Sequence, residues 1–350
     1  MSASAWQDLV DPLRLQAWMD GQGLGSGPIT SAIRLTGGTQ NLLMRFQRDA
    51  ASYVLRCPSA GARVEIHQGF RREARLLKAL ADTAVPHARL LAHCDDDGVL
   101  GAPFYLMAPV DGFTATPAPL PEPYASDSHW RQRMGLSMVD ALLRLGEVDV
   151  AAVGLGDFGK PAGFLARQMP RWLQHLERCH EHSGWPGPQA LPDVRRIADW
   201  LEARLPAKST TGLIHGDYHF GNVMFRHDAP ALAAVIDWEL ATLGDPLLDL
   251  GWLVATWPDA EGCGAGTIRI QPSAGLPSTA ALIEHYRARS ERDLGDIGWY
   301  IVLAQFKLGI MLEASYARSC AGKASAATGA QHHASARRLL GQALATIEVT

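Results

Sequence analysis

Cysteine is scarce in this chain: five in 350 residues, at positions 57, 94, 179, 263 and 320, with no CxxC pair. An odd, scattered set excludes a disulfide framework and a zinc ribbon and suits a reducing compartment, so a cytoplasmic location is expected. A basic block is also missing. Lys and Arg number 32 against 36 Asp and Glu, for a formal net charge of -4. Neither nucleic acid nor an anionic membrane surface is therefore an expected partner. Long apolar runs are absent too. The most apolar late stretch, 299–316, is broken by Gln305, Lys307 and Glu313. Its apolar positions Ile297, Tyr300, Ile301, Ala304, Leu308, Met311 and Leu312 recur at helical spacing, which predicts a buried helix and no membrane span. The start, MSASAWQDLVDPLRL, lacks a basic segment ahead of an apolar run, so no signal peptide is expected. No GxxxxGK[ST] string occurs, which removes the P-loop nucleotide hydrolases. Nothing in the sequence sets an oligomeric state.

What is present divides at about residue 110. Residues 5–20 read as an amphipathic helix, followed by a Gly-rich linker at 21–27. Short strand-like runs follow at 33–35, 41–46 and 53–56, then a helix over 67–80 with Phe70, Ala74, Leu77 and Ala81 on one stripe. Two more β-like runs, 88–93 and 104–108, flank a turn expected at Asp97-Gly98. From Val110 the pattern is mostly helical, with Pro-rich loops at 116–123 and 185–192. The expected organisation is a leader helix and linker (1–29), an α+β lobe (30–109) and a larger, mainly helical lobe (110–350), hinged near Met107–Gly112.

The chemistry concentrates in LIHGDYHFGNVMF (213–225) and AAVIDWELATLGDPLLDLGWL (233–253). Asp217 and Asn222 are spaced D-x-x-x-x-N, and Asp237 ends a short apolar strand fifteen positions later. Phosphoryl transfer needs a carboxylate to take or orient an acceptor hydroxyl, and oxygen ligands for magnesium on the phosphates. A carboxylate, an amide and a second carboxylate supply that set.

These residues resemble the aminoglycoside phosphotransferase and choline kinase superfamily, relatives of the protein kinases. YVLRCP (53–58), REARLL (72–77), GAPFYLMAPVDG (101–112) and GLGDFGKPAGFLARQ (154–168) are similar to one branch of it, the kinase-like domains associated with acyl-CoA dehydrogenases. The resemblance implies a protein-kinase-like, two-lobed α+β fold and ATP-dependent transfer of the γ-phosphoryl group to a small-molecule hydroxyl. Asp217 would be the catalytic base, and Asn222 and Asp237 the magnesium ligands. GGTQN (37–41), with Gly37, Gly38, Thr39 and Asn41, would cover the phosphates. Arg56 would take the place of the usual lysine and pair with Glu73, and the chain after Met107 would receive adenine. His215 and Asp249 would support the catalytic loop. The acceptors suggested are hydroxylated acids or their thioesters. Arginine at 56 is a departure, offering a planar fork in place of a point charge. So is Gly146, where relatives often carry histidine.

Several features have plainer readings. Asp245-Pro246 reads as a helix N-cap followed by proline. Asp249 either belongs to that helix's packing or braces the catalytic loop; both stay open. GLGDFG (154–159) satisfies GxGxxG, yet it precedes the catalytic loop and sits in no βαβ unit. His175, Cys179, His180 and His182 read as a solvated helix end. Trp172, Trp200, Trp238 and Trp252 read as packing, and Arg167 and Arg171 as a helix face. Glu284, Glu291, Asp293, Asp296 and Glu313 are interspersed with arginines, so the lining is poor for a polycationic aminoglycoside. The alternative function is a nucleotide-binding pseudokinase acting as a sensor or interaction module.

Overall fold

Asp11 starts the first helix: its Oδ1 accepts the backbone N–H groups of Leu13 at 3.0 Å and Arg14 at 3.1 Å, with Pro12 in the first turn, where its missing N–H is not needed. The computed structural model describes residues 9–35, 41–59, 64–117 and 119–349. Gly37, Gly38 and Thr39 of the expected phosphate-covering loop lie outside the described residues. The chain divides into two units. The first runs to Asp111 and adds residues 153–155 and 233–239; the second holds the rest. The segment carrying Asp237, expected with the large lobe, thus packs with the first unit. The reason is local: Val235 N–H donates to the Pro86 carbonyl at 2.8 Å, and Trp238 N–H to Glu73 at 3.3 Å.

In the first unit, α1 (Pro12–Gly21) precedes strands β1 (Thr30–Arg34), β2 (Asn41–Arg48) and β3 (Ala51–Pro58), then α2 (Val64–Leu80), β4 (Leu90–Cys94), α3 (Asp97–Leu100) and β5 (Phe104–Met107). The strands form one antiparallel sheet in the order β1-β2-β3-β5-β4. Strand β2 buries every second side chain, Leu42, Met44, Phe46 and Arg48, as a half-buried strand must. The charged member is satisfied: Arg48 donates to the carbonyls of Gly27, Gln16 and Leu24 and pairs with Asp20 at 2.5 Å. Helix α2 turns Phe70, Ala74, Leu77 and Leu80 inward; Ala81, expected on that stripe, lies past the helix end and is exposed. The turn expected at Asp97-Gly98 is instead the short helix α3, because Asp96 accepts the Gly98 N–H at 2.8 Å and Gly101 ends it at φ 83°.

In the second unit, helices α4 (Ser128–Gly146), α5 (Gln168–Glu177) and α6 (Val194–Ala203) lead to short strands β6 (Gly212–Ile214) and β7 (Val223–Phe225). Strand β8 (Leu232–Val235) carries the chain into the 233–239 segment. Strand β9 (Thr242–Gly244) returns to pair antiparallel with β6. Helices α7 (Leu247–Thr256), α8 (Thr279–Arg287), α9 (Ile297–Cys320) and α10 (Ala326–Glu348) complete it. Helix α9 is long and apolar enough to cross a membrane, but 67% of its most apolar window is buried inside the protein. It is the central helix of this unit, touching α5, α6, α7 and α10. Gly251 lets α7 lie directly on it, since a Cβ there would stand 2.7 Å from the Tyr300 carbonyl.

Candidate active site

The expected site residues fall into two clusters, one in each unit. In the first, β3 and α2 bring Arg56 and Glu73 together, Nη1 to Oε1 at 2.5 Å. The other arm of the guanidinium, Nη2, reaches Asp237 Oδ1 at 3.1 Å. Tyr105 on β5 also hydrogen-bonds to Glu73. Burial works against a charge on Arg56, yet Tyr105, Glu73 and Asp237 outweigh it and hold its pKa above the ordinary arginine value. The planar fork is thus fixed by a buried carboxylate on one side and a half-exposed one on the other. Asp237 adopts the left-handed backbone at φ 63°, which aspartate tolerates better than most side chains. Met107 pairs with Val54 on one side and Leu90 on the other at the end of β5. Asn41 opens β2 opposite Pro58.

In the second set, β6 runs straight into His215, Gly216 and Asp217. The turn requires glycine: Gly216 sits at φ 85°, and a Cβ there would stand 2.7 Å from the Leu240 carbonyl. Asp249 on α7 accepts the His215 N–H at 2.6 Å and the Gly216 N–H at 2.9 Å, one on each carboxylate oxygen. Asp249 is 1% exposed, and its side chain ties α7 to these two backbone N–H groups. The N-cap position of α7 is Pro246, and Asp245 just before it accepts the Leu247 N–H on Oδ1 at 3.0 Å. Fully buried His215 takes the Asp217 N–H on Nδ1 at 3.3 Å.

The Asp217 carboxylate has a donor on each oxygen. Asn222 Nδ2 donates to Oδ2 at 2.9 Å and to the Asp217 carbonyl at 2.9 Å. Trp252 Nε1 donates to Oδ1 at 3.0 Å, and His219 Nε2 lies 3.4 Å from the same oxygen. Burial alone would push this carboxyl up; His219, His215 and the Asn222 amide overcome it and hold Asp217 below the usual carboxylate range. Both hydrogens of the Asn222 amide are used, so its carbonyl oxygen is the donor atom it has left for a metal.

A family model described as "Phosphotransferase enzyme family" matches residues 31–295. The chain belongs to that family. This phosphotransferase-family protein is 29% identical to mouse acyl-CoA dehydrogenase family member 10 over 79% of its own length. It spans only 25% of that mouse protein. A Ralstonia eutropha structure, placed provisionally among the aminoglycoside phosphotransferases, is 29% identical with a TM-score of 0.80, covering 97% of this chain and 98% of that one. The aminoglycoside phosphotransferase APH(4)-Ia, solved as a D198A variant with ADP and hygromycin B, is 16% identical with a TM-score of 0.60, over 94% of this chain and 97% of that one. The fold is α+β and protein-kinase-like, with a small β-rich lobe and a larger, mainly helical lobe.

Sequence reasoning misses three side chains of these two clusters. Trp252 reads as packing, although its place three residues after Asp249 puts both on one face of α7. Lys307 reads only as a break in an apolar run. It is half-buried, with Nζ 5.1 Å from the Trp252 ring centre and 5.6 Å from that of Trp172. Burial lowers its pKa to about 8, against the pull of Asp249. Tyr105 gives no polar signal in an apolar strand. The cluster at 175–182 is less solvated than expected, since Cys179 is 2% exposed; among the described residues no group of three His, Cys, Asp or Glu is placed to hold a metal ion.

Proposed function

We propose that this protein transfers the γ-phosphoryl group of ATP to a hydroxyl of a small molecule, with Asp217 as the base. One observation carries the reading: a carboxylate fixed by Asn222 and Trp252, in a loop pinned by a buried aspartate, inside a phosphotransferase-family fold. Such a group can accept a hydroxyl's hydrogen bond without reorganising, and positioning is most of what phosphoryl transfer asks of a protein. The donor set also suits magnesium. The ion prefers one or two protein carboxylates and shares the rest of its shell with phosphates and water, and Asp237 and Asn222 offer one carboxylate and one amide oxygen. Magnesium, when bound, would neutralise charge on the phosphates. Arg56, steadied by Glu73, would grip phosphate oxygens. The APH(4)-Ia structures with ADP and with AMP-PNP support a nucleotide as donor.

For the acceptor, Lys307 supports a neutral or anionic compound over a polycation, because its electrostatic reach includes Asp217. Hydroxylated acids or their thioesters fit that sign, and the reading places the reaction in the cytoplasm. The test is a library of hydroxylated metabolites screened for magnesium-dependent ADP release, with the phosphorylated product identified by mass. Acceptor-dependent release that disappears in Asp217→Ala is the expected result. Equal release by both proteins for every compound overturns the reading. Binding of magnesium–ATP with no turnover of any compound favours the pseudokinase.

A further inference from the structure

We propose that Trp252, backed by Lys307, is a positioning residue that sets the orientation of the Asp217 carboxylate. The inference rests on the proposed role of Asp217. Asn222 alone would leave that carboxylate free to swing about its own side-chain bonds, because it holds only Oδ2. Trp252 Nε1, at 3.0 Å the shorter of two contacts on Oδ1 with His219 Nε2 standing at 3.4 Å, fixes the second oxygen and so the plane of the group. Indole suits this role because its N–H donates only and does not titrate. It orients a base without competing for the proton the base must take. The ring itself cannot drift. It belongs to α7, whose next turn meets α9 through Ala255, Ala304 and Leu308, and α7 lies against α9 at Gly251. Lys307 stands over its face at 5.1 Å. A cation there draws electron density from the ring and strengthens the N–H as a donor. Lys307 thereby brings positive charge toward Asp217 through an intervening ring.

The experiment joins a spectroscopic readout to a kinetic one on the full chain. In ¹⁵N-labelled protein, Trp252→Phe identifies the indole N–H signal of Trp252 by deleting it. Asp217→Ala should move that signal upfield, because the carboxylate acceptor is gone. Lys307→Met should move it in the same direction by less. In parallel, magnesium–ATP turnover to ADP is measured with water as acceptor. Trp252→Phe should lower turnover about tenfold or more, the scale of a lost hydrogen bond to a charged group, while the KM for ATP stays within about twofold. Lys307→Met should lower it about two- to fivefold, and this variant serves if Trp252→Phe fails to fold. An indole signal unmoved by Asp217→Ala overturns the proposal, as does full turnover in both variants or a loss confined to the KM for ATP. If the wild-type protein forms no ADP here or with any acceptor, the phosphotransferase reading fails, and the indole signal still decides whether Trp252 holds Asp217.

Discussion

Arg56 and Glu73 meet at 2.5 Å, with the arginine side chain 13% exposed and the glutamate 4%. Removing one partner of a buried pair leaves the other charge uncompensated, which typically costs about 3–5 kcal/mol. Asp237 still faces the second arm of Arg56 at 3.1 Å. Glu73→Ala should therefore lie at the lower end, about 3 kcal/mol less stable by urea denaturation. It should remain folded and bind ATP more weakly, because the guanidinium loses its fixed direction. An ATP affinity equal to wild type would remove Arg56 from the phosphate grip.

Asp237 gives a separate test. Its side chain is 42% exposed, so it is open to a ligand. Magnesium should strengthen ATP binding to the wild-type protein and leave binding to Asp237→Ala unchanged. Titration of ATP with and without the ion reads this directly. The same magnesium enhancement in both proteins would show that the carboxylate is not a ligand.

How much of this is legible in the sequence depends on where each signal lies. The strand–helix–strand order of the first unit can be read because β2 alternates and α2 has one apolar stripe, and both periods are local properties of the chain. The Asp217–Asn222 spacing is legible for the same reason: the hydrogen bonds between them span five residues. Asp249 is ambiguous because bracing a loop 34 residues away looks, in sequence, like any carboxylate in a helix. Trp252 and Lys307 are invisible as a pair, since only the packing of α7 on α9 joins residues so far apart in the chain. The short helix α3 escapes because Asp-Gly is a turn signal, and only the cap supplied by Asp96 turns that signal into a helix start.

Lys307 should reduce stability at neutral pH. Its pKa falls from 10.5 to about 8 through burial. The folded state thus releases a proton that the unfolded chain keeps between those values, so wild-type stability should gain with rising pH across that window. Below about pH 8 the buried charge is opposed at full strength; above about 10.5 neither state carries it. Lys307→Met should accordingly be more stable than wild type at about pH 7, by roughly 1–2 kcal/mol after the lost ring contacts are counted. That advantage should shrink toward zero by about pH 10.5. Chemical denaturation of both proteins at the two pH values checks it. A gap that stays constant with pH would mean that Lys307 is as well solvated as a surface lysine.

Asp217→Asn isolates the chemistry. Asparagine keeps the shape of the side chain, and its carbonyl oxygen can still accept a hydrogen bond from Trp252 or Asn222. What it loses is the ability to take a proton and half of the acceptor capacity that a carboxylate has. A positioned base contributes about 10²–10⁴-fold, so kcat with an identified acceptor should fall by that factor. ATP affinity should change little, because the residues proposed to hold magnesium and the phosphates, Asn222, Asp237 and Arg56, are untouched. The loss should therefore appear in kcat and not in the KM for ATP, the pattern of an interaction made in the transition state. Acidification offers a matching check on the wild-type protein. Because His219, His215 and Asn222 hold the Asp217 carboxyl below its ordinary value, the base stays ionised down through the usual carboxylate range. The stability it contributes is lost only as pH falls below its unfolded value of about 3.9 and on through the lower folded one. Turnover that keeps near-full kcat in Asp217→Asn would remove Asp217 from the role of base, whatever the nucleotide affinity.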